Sequence, residues 1–356
     1  HRARASEELS MSEEPEVLFE RRGAAGIVTL NRPKALNALT LGMVRAMHPQ
    51  LKAWAADDAV KLVIVEGAGE KAFSAGGDIR ALHDWGKAGD RNVIDFYREE
   101  YRLNAYIKAY PKPYVALMNG IDMGGGVGVS VNGSLRVATE KLTFAMPETG
   151  IGLFPDVGGT FFLPRCPGEI GMFLGLTGER LKAADAIHAG IADVYVPSAK
   201  LDALKARLAG GEAVEVAVKA LAEDAGAPSL AEHRAEIDRH FSKGSVAEIV
   251  ASLNADGGEW AQKVAATLAG KSPTSLLVTY RQIREGAKLS FAECMKLEFR
   301  LTNRFMRGHD FYEGVRAIII DKDQAPKWRP ASLGDVSAQD VDAYFASLGA
   351  DELTFD

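Results

Sequence analysis

The chain has 356 residues, 47% hydrophobic and 25% charged, with a formal net charge of −6. That balance supports a sizeable buried core and argues against a disordered chain or a general nucleic-acid binder. Two cysteines, Cys166 and Cys294, exclude a disulfide scaffold or a cysteine-rich zinc site, and point to a reducing compartment.

At about 150 residues per domain, the length suggests two domains, or one large domain with an appendage. No apolar run is long enough to span a membrane. His1–Glu14 reads as a solvated tail, charged and without apolar periodicity. Its acidic residues Glu7, Glu8, Glu13 and Glu14 fit poorly with a mitochondrial presequence, and a secretory core is not seen, so a cytoplasmic location is expected if the source is bacterial.

Val17–Phe19 and Ile27–Leu30 read as strands on either side of a turn at Gly23–Gly26. Leu39–Ala56 reads as a helix with Thr40 as its N-cap, kinked or split at Pro49. Lys61–Glu66 is a buried strand, followed by a turn at Gly67–Gly69. Asn92–Tyr110 is a long helix and Tyr114–Met118 a further strand. Gly124–Asn132 opens another helix. Strand, glycine turn and helix therefore alternate, which predicts a parallel-type α/β architecture, closed or spiral, over residues 15–197.

The pattern changes after Pro197. Ser198–Leu208 is an alanine-rich helix with Leu201, Leu204 and Leu208 on one face. Glu212–Thr267 continues in helical patterns. Ser272-Pro273 starts a helix, and Ser290-Phe-Ala-Glu293 is a capping box. Residues 198–356 are read as a mainly helical second region.

Four segments could carry chemistry. Ala72-Phe-Ser-Ala-Gly-Gly-Asp78 follows an apolar strand, and its glycines let a backbone amide face a ligand; a tight turn is the plainer role. Gly124-Gly-Gly-Val-Gly128 opens a helix, whose free amides suit a developing oxyanion, or else serves close packing. Glu148 and Asp156 stand eight residues apart in apolar, glycine-rich surroundings, where desolvation displaces carboxyl pKa values as acid–base or nucleophilic work requires; capping nearby helices is the alternative. On the long helix, Glu99 and Glu100 point to different sides, so at most one reaches a pocket. The seven histidines show no metal spacing, and no Gly-x-Ser-x-Gly elbow occurs, so metal catalysis and α/β-type serine hydrolysis gain no support.

Taken in order, these segments resemble the crotonase (enoyl-CoA hydratase/isomerase) superfamily, over the whole chain. The run Asn31-Arg-Pro-Lys-Ala-Leu-Asn-Ala-Leu39 is similar to its adenine-side loop, and Ser74–Asp78 and Gly124–Gly126 to its two oxyanion segments. Met123–Ser130, Phe144–Gly159, Asp310–Arg316 and Asp321–Trp328 are most similar to its 3-hydroxyisobutyryl-CoA hydrolase branch. The resemblance implies a spiral of ββα units with a helical C-terminal region. It implies an oxyanion hole from the Gly77 and Gly125 amides, Glu148 as catalytic glutamate and Asp156 as the branch's second carboxylate. It further implies Glu100 in the acyl pocket, and Ala35, Ala75, Asp78, Ile79 and Gly124 beside the CoA moiety.

One position departs from the hydratases. They carry a glutamate two residues after the triple glycine, where this chain has Gly128. The expected reaction is thus hydrolysis of a short β-hydroxyacyl-CoA, as in valine breakdown, with no metal and no cofactor beyond the CoA of the substrate. Glu148 either attacks the carbonyl or serves as base for water. An enoyl-CoA isomerase or hydratase-type enzyme, or a non-catalytic acyl-CoA-binding protein, is the alternative. Arg32 and Lys34 are candidates for the CoA phosphates, though a solvated loop charge fits each as well. No membrane and no nucleic-acid partner is expected, and a homo-oligomer is compatible with the family.

Overall fold

The computed structural model describes residues 14–355. The expected tail lies outside them, apart from Glu14. Val17–Arg22 (β1) and Ala25–Leu30 (β2) pair antiparallel across a turn at Gly23, tighter than the sequence suggested. The chain continues through Leu62–Gly67 (β3), Ala72–Ser74 (β4), Tyr114–Met118 (β5), Ile121–Met123 (β6), Leu135–Ala138 (β7), Thr143–Ala145 (β8) and Val194–Tyr195 (β9).

Two sheets result. The larger has the order β1-β2-β3-β5-β7-β9, the smaller β4-β6-β8, and every pair after β1–β2 is parallel. Three times the chain passes through the large sheet and then the small one: β3 to β4, β5 to β6, β7 to β8. This is the expected crotonase spiral.

The large sheet is buried on both faces, as parallel strands require. Side-chain alternation sorts its residues. Ile27, Ile64, Val115, Leu117 and Val137 face Leu201, Leu204 and Leu208, so the predicted leucine face packs under the sheet. Val28, Val63, Val65, Ala116 and Met118 face the main core, which runs on into the helical C-terminal region.

Three helices matter for the site: Leu41–Ala56 (α1), Ile79–Lys87 (α2) and Asn92–Lys108 (α3). Thr40 caps α1 by accepting from the Met43 amide at 3.1 Å. The expected split at Pro49 does not occur: α1 runs through it unbroken. Pro49 removes only one backbone donor and sits on the exposed face, while buried Met47 and Leu51 hold the turns on either side. Beyond α3, the helix Phe291–Phe305 packs against it from the C-terminal region.

Two further expectations change in detail. Gly124–Val129 is a short 3-10 helix instead of an α-helix. It is pressed against β4, where a Cβ on Gly126 would meet the Ser74 carbonyl oxygen at 2.4 Å. At Ser290 the cap is one-sided. The serine accepts from the Glu293 amide at 3.2 Å, and no return bond from Glu293 is found among the described residues. Among those residues no helix is long and apolar enough to cross a membrane.

Candidate active site

The small sheet sets out the site. Its strands are parallel, with a register shift between Ala72 and Ser74 in β4, and Ser74, Asp122 and Phe144 are aligned. Each chemically suggestive segment leaves the carboxyl end of one strand: Gly76-Gly77 after β4, Gly124-Gly125 after β6, Pro147-Glu148 after β8. Carboxyl edges of parallel strands are where crevices form in such sheets. A cavity of about 80 Å³ opens there, lined among others by Gly77, Gly125, Glu100, Glu148 and Asp156.

The two glycine segments meet. An ideal Cβ on Gly125 would lie 3.0 Å from the Gly77 nitrogen and 3.3 Å from Glu100 Oε2. Gly76 at φ +136° and Gly124 at φ +53° make the turns that present the next amide, in backbone regions which side-chain-bearing residues rarely adopt. Among the described residues, neither the Gly77 nor the Gly125 amide donates to a protein acceptor. Two free amides at one point are the arrangement that stabilises a carbonyl oxygen gaining negative charge.

The loop after β2 braces this arrangement. The Ala75 amide donates to Leu36 O at 2.9 Å, Leu39 N to Gly76 O at 2.8 Å, and Asp78 N to Leu39 O at 2.9 Å. Buried Asn37 donates to Ala68 O and Ala72 O, both at 2.9 Å. Arg32 donates to Ala38 O at 2.7 Å and lies 3.7 Å from Asp78, so it is committed to the loop itself. Lys34 and Ala35 are exposed, and Ala35 and Asp78 stand outside the cavity lining; Asp78 caps α2. Ala75, Ile79 and Gly124 line the cavity.

Four carboxyl groups converge. Glu148 is 4% exposed, and neither of its oxygens has a partner. Burial, then the charge of Asp156, holds it well above the usual carboxylate range. Glu100 faces inward from α3, also well above that range through burial and then Asp156. Its neighbour Glu99 points outward to Arg45 at 2.8 Å, so one of the pair reaches the pocket. Burial pushes Asp156 up to about 6, against the downward pull of the Tyr101 hydroxyl, which donates to Oδ2 at 2.7 Å.

The fourth acid, Glu298, was not foreseen. It is fully buried on Phe291–Phe305 and pushed up to about 8, by burial first and by Asp156 second. Tyr97, Tyr101, Asn104 and Thr302 were missed as well. Tyr97 lines the cavity, and Tyr101 bridges Asp156 and Thr302 Oγ1. A signal existed. Residues 97, 100, 101 and 104 form one polar stripe at helical spacing on α3, and Glu298 and Thr302 another on an otherwise apolar face.

Gly128 is closely packed. A Cβ there would lie 2.6 Å from Asn104 Nδ2 and 2.7 Å from Val157 Cβ. No second glutamate can be accommodated at this position without rebuilding the wall.

Comparison with known proteins agrees with this geometry. A family model described as enoyl-CoA hydratase/isomerase matches residues 25–345. The Danio rerio protein named 3-hydroxyisobutyryl-CoA hydrolase, mitochondrial, is 56% identical over 348 residues, covering 95% of this chain and 91% of its own. A solved structure titled carnitinyl-CoA dehydratase from Mycobacterium thermoresistibile is 44% identical with a TM-score of 0.93, covering 96% of this chain and 99% of that one. Another, titled enoyl-CoA hydratase from Rhodobacter sphaeroides 2.4.1, is 44% identical with a TM-score of 0.89, covering 96% and 100%. With paired amides at the edge of a spiral, and a family match along most of its length, the chain belongs to the enoyl-CoA hydratase/isomerase (crotonase) family.

Proposed function

We propose that the protein is a 3-hydroxyisobutyryl-CoA hydrolase, releasing 3-hydroxyisobutyrate and CoA. The observation that carries this reading is the meeting of two free amides and the buried, unpartnered Glu148 carboxyl on one cavity. The thioester oxygen lies against the Gly77 and Gly125 amides. As the carbonyl carbon is attacked, negative charge moves onto that oxygen, and one such donor is worth about 3–4 kcal/mol of barrier. The C–O bond to the incoming oxygen forms, the C–S bond breaks, and the CoA sulfur leaves as thiolate and takes up a proton.

Glu148 acts at the carbonyl carbon in one of two ways: by direct attack to an acyl-anhydride, which water then hydrolyses to 3-hydroxyisobutyrate and the free Glu148 carboxylate, or by taking a proton from the water that attacks. Either role needs its carboxylate form, and burial makes that form reactive by stripping its hydration. Asp156, the group that ionises near neutrality, holds the substrate's β-hydroxyl and directs the water. Glu100 closes the acyl side. These groups and water are sufficient for hydrolysis, with no further cofactor. The two buried free thiols, Cys166 and Cys294, suit a reducing compartment.

Gly128 separates this reading from hydration. Adding water across a double bond by the two-glutamate route requires a carboxylate at the position of Gly128, where Asn104 and Val157 leave no room for a side chain. A panel of acyl-CoA thioesters tests the proposal. Thiol release from 3-hydroxyisobutyryl-CoA is expected, lost in Glu148→Gln and reduced in Asp156→Asn. Double-bond hydration or migration without thiol release would overturn it.

A further inference from the structure

The loop Pro155–Thr160 carries Asp156 into the cavity in a backbone conformation its own sequence resists. Val157 sits at φ +50°, which a β-branched residue rarely adopts, and Gly158 follows at φ +102°. Such strain persists only where the surroundings over-determine it.

Three buried side chains do so. Both oxygens of Glu298 accept from the Gly158 amide at 3.2 Å, and Oε2 also accepts from the Thr160 amide at 3.2 Å. Asn132 Nδ2 donates to Val157 O at 2.9 Å. Gln282 Nε2 donates to Pro155 O at 2.5 Å and to Thr160 Oγ1 at 2.8 Å. The backbone is thus tied at residues 155, 157, 158 and 160, on both sides of Asp156.

The choice of glutamate is informative. A buried carboxyl beside another acid is costly. Glutamine has the same shape, but its NH2 arm would face the Gly158 N–H that Oε1 and Oε2 of Glu298 share.

We propose that Glu298 is the positioning residue for Asp156: with Asn132 and Gln282 it locks the strained 155–160 loop and so sets the direction of the Asp156 carboxyl. The inference rests on the assignment of Asp156 to the hydrolytic site. The acid groups facing Glu298 are Asp156 on the loop, Glu100 on α3 and Glu148 beyond β8, with Cys294 on its own helix. Burial pushes Asp156 up to about 6, and burial with the Asp156 charge pushes Glu298 up to about 8.

The test is kcat and KM for thiol release from 3-hydroxyisobutyryl-CoA across the pH range that spans both values, using the full chain. Glu298→Gln is expected to lower kcat about tenfold or more while KM stays within about threefold, and to remove the pH dependence at the upper value. Adding Val157→Gly should recover part of the lost kcat, since glycine adopts the left-handed geometry without penalty. A Glu298→Gln protein with a lower Tm but parental kcat, KM and pH profile overturns the proposal, and so does a double variant with no recovery. Should Glu298→Gln fail to fold, Gln282→Met releases the same loop at Pro155, and an unchanged kcat there is equally fatal. Asp156→Asn separates the two levels. If it keeps parental activity, the role of Asp156 fails; if it is inactive while Glu298→Gln is unimpaired, the positioning role alone fails.

Discussion

The spiral and the helical region after Ser198 contribute to the same cavity in different ways. The spiral supplies main chain: amides of Gly77 and Gly125 at strand ends, with Glu148 one turn further on. The helical region supplies side chains that touch the site through its loop, Glu298 and Gln282 on the backbone around Asp156 and Thr302 on Tyr101. The difference teaches that charge-stabilising geometry here is topological, while the aim of the acids depends on long-range packing. Damage to the first should abolish turnover with the fold intact; damage to the second should grade it.

The sharpest break in that comparison is Glu148→Gln. It should lower kcat by about 10²–10⁴-fold, the range for a lost acid–base group. Its Tm should stay level or rise, because an unpartnered buried carboxyl is removed. Thiol release and calorimetry check both parts. Gly125→Ala comes next. Its methyl would lie 3.0 Å from the Gly77 nitrogen, and kcat should fall about 10²-fold, as for a lost oxyanion donor.

Gly128→Ala tests the wall. The overpacking against Asn104 and Val157 should cost about 1–3 kcal/mol in urea unfolding, without conferring hydration. An unchanged unfolding midpoint would mean that Asn104 and Val157 yield.

The pH dependence has an unusual sign. Asp156 and Glu298 have folded pKa values raised above their unfolded ones, to about 6 and about 8. The protonated forms are thus favoured by folding, and the stability they contribute is lost as pH rises through those values. Unfolding at about pH 5 and about pH 8 should show this cluster favouring the lower pH, and Asp156→Asn should narrow the gap. The smallest effect is expected from Thr302→Val, which removes one partner of Tyr101 and should cost about 1 kcal/mol of stability with a few-fold loss of kcat.

Much of the spiral was legible in sequence because its signals are local. KLVIVE, Tyr114–Met118 and the glycine turns punctuate it residue by residue, and the Gly77, Gly125 and Glu148 segments came with them. For Glu298 the polar stripe with Thr302 marked an inward face but not its partner. Glu298 lies 142 positions beyond Asp156 (298 − 156), and its partners are loop amides that no local pattern announces. At Pro49 the split, one of the two outcomes expected, did not form: the helix runs on between buried Met47 and Leu51.

The parallel strands β4, β6 and β8 have a consequence for how such enzymes diversify. Each reacting element hangs from a separate thread of the sheet, a few residues past its last paired position. A residue on one thread can change while the segments on the other two stay where they are. The scaffold is therefore interchangeable by parts, and neighbours sharing nearly the same backbone can catalyse different reactions.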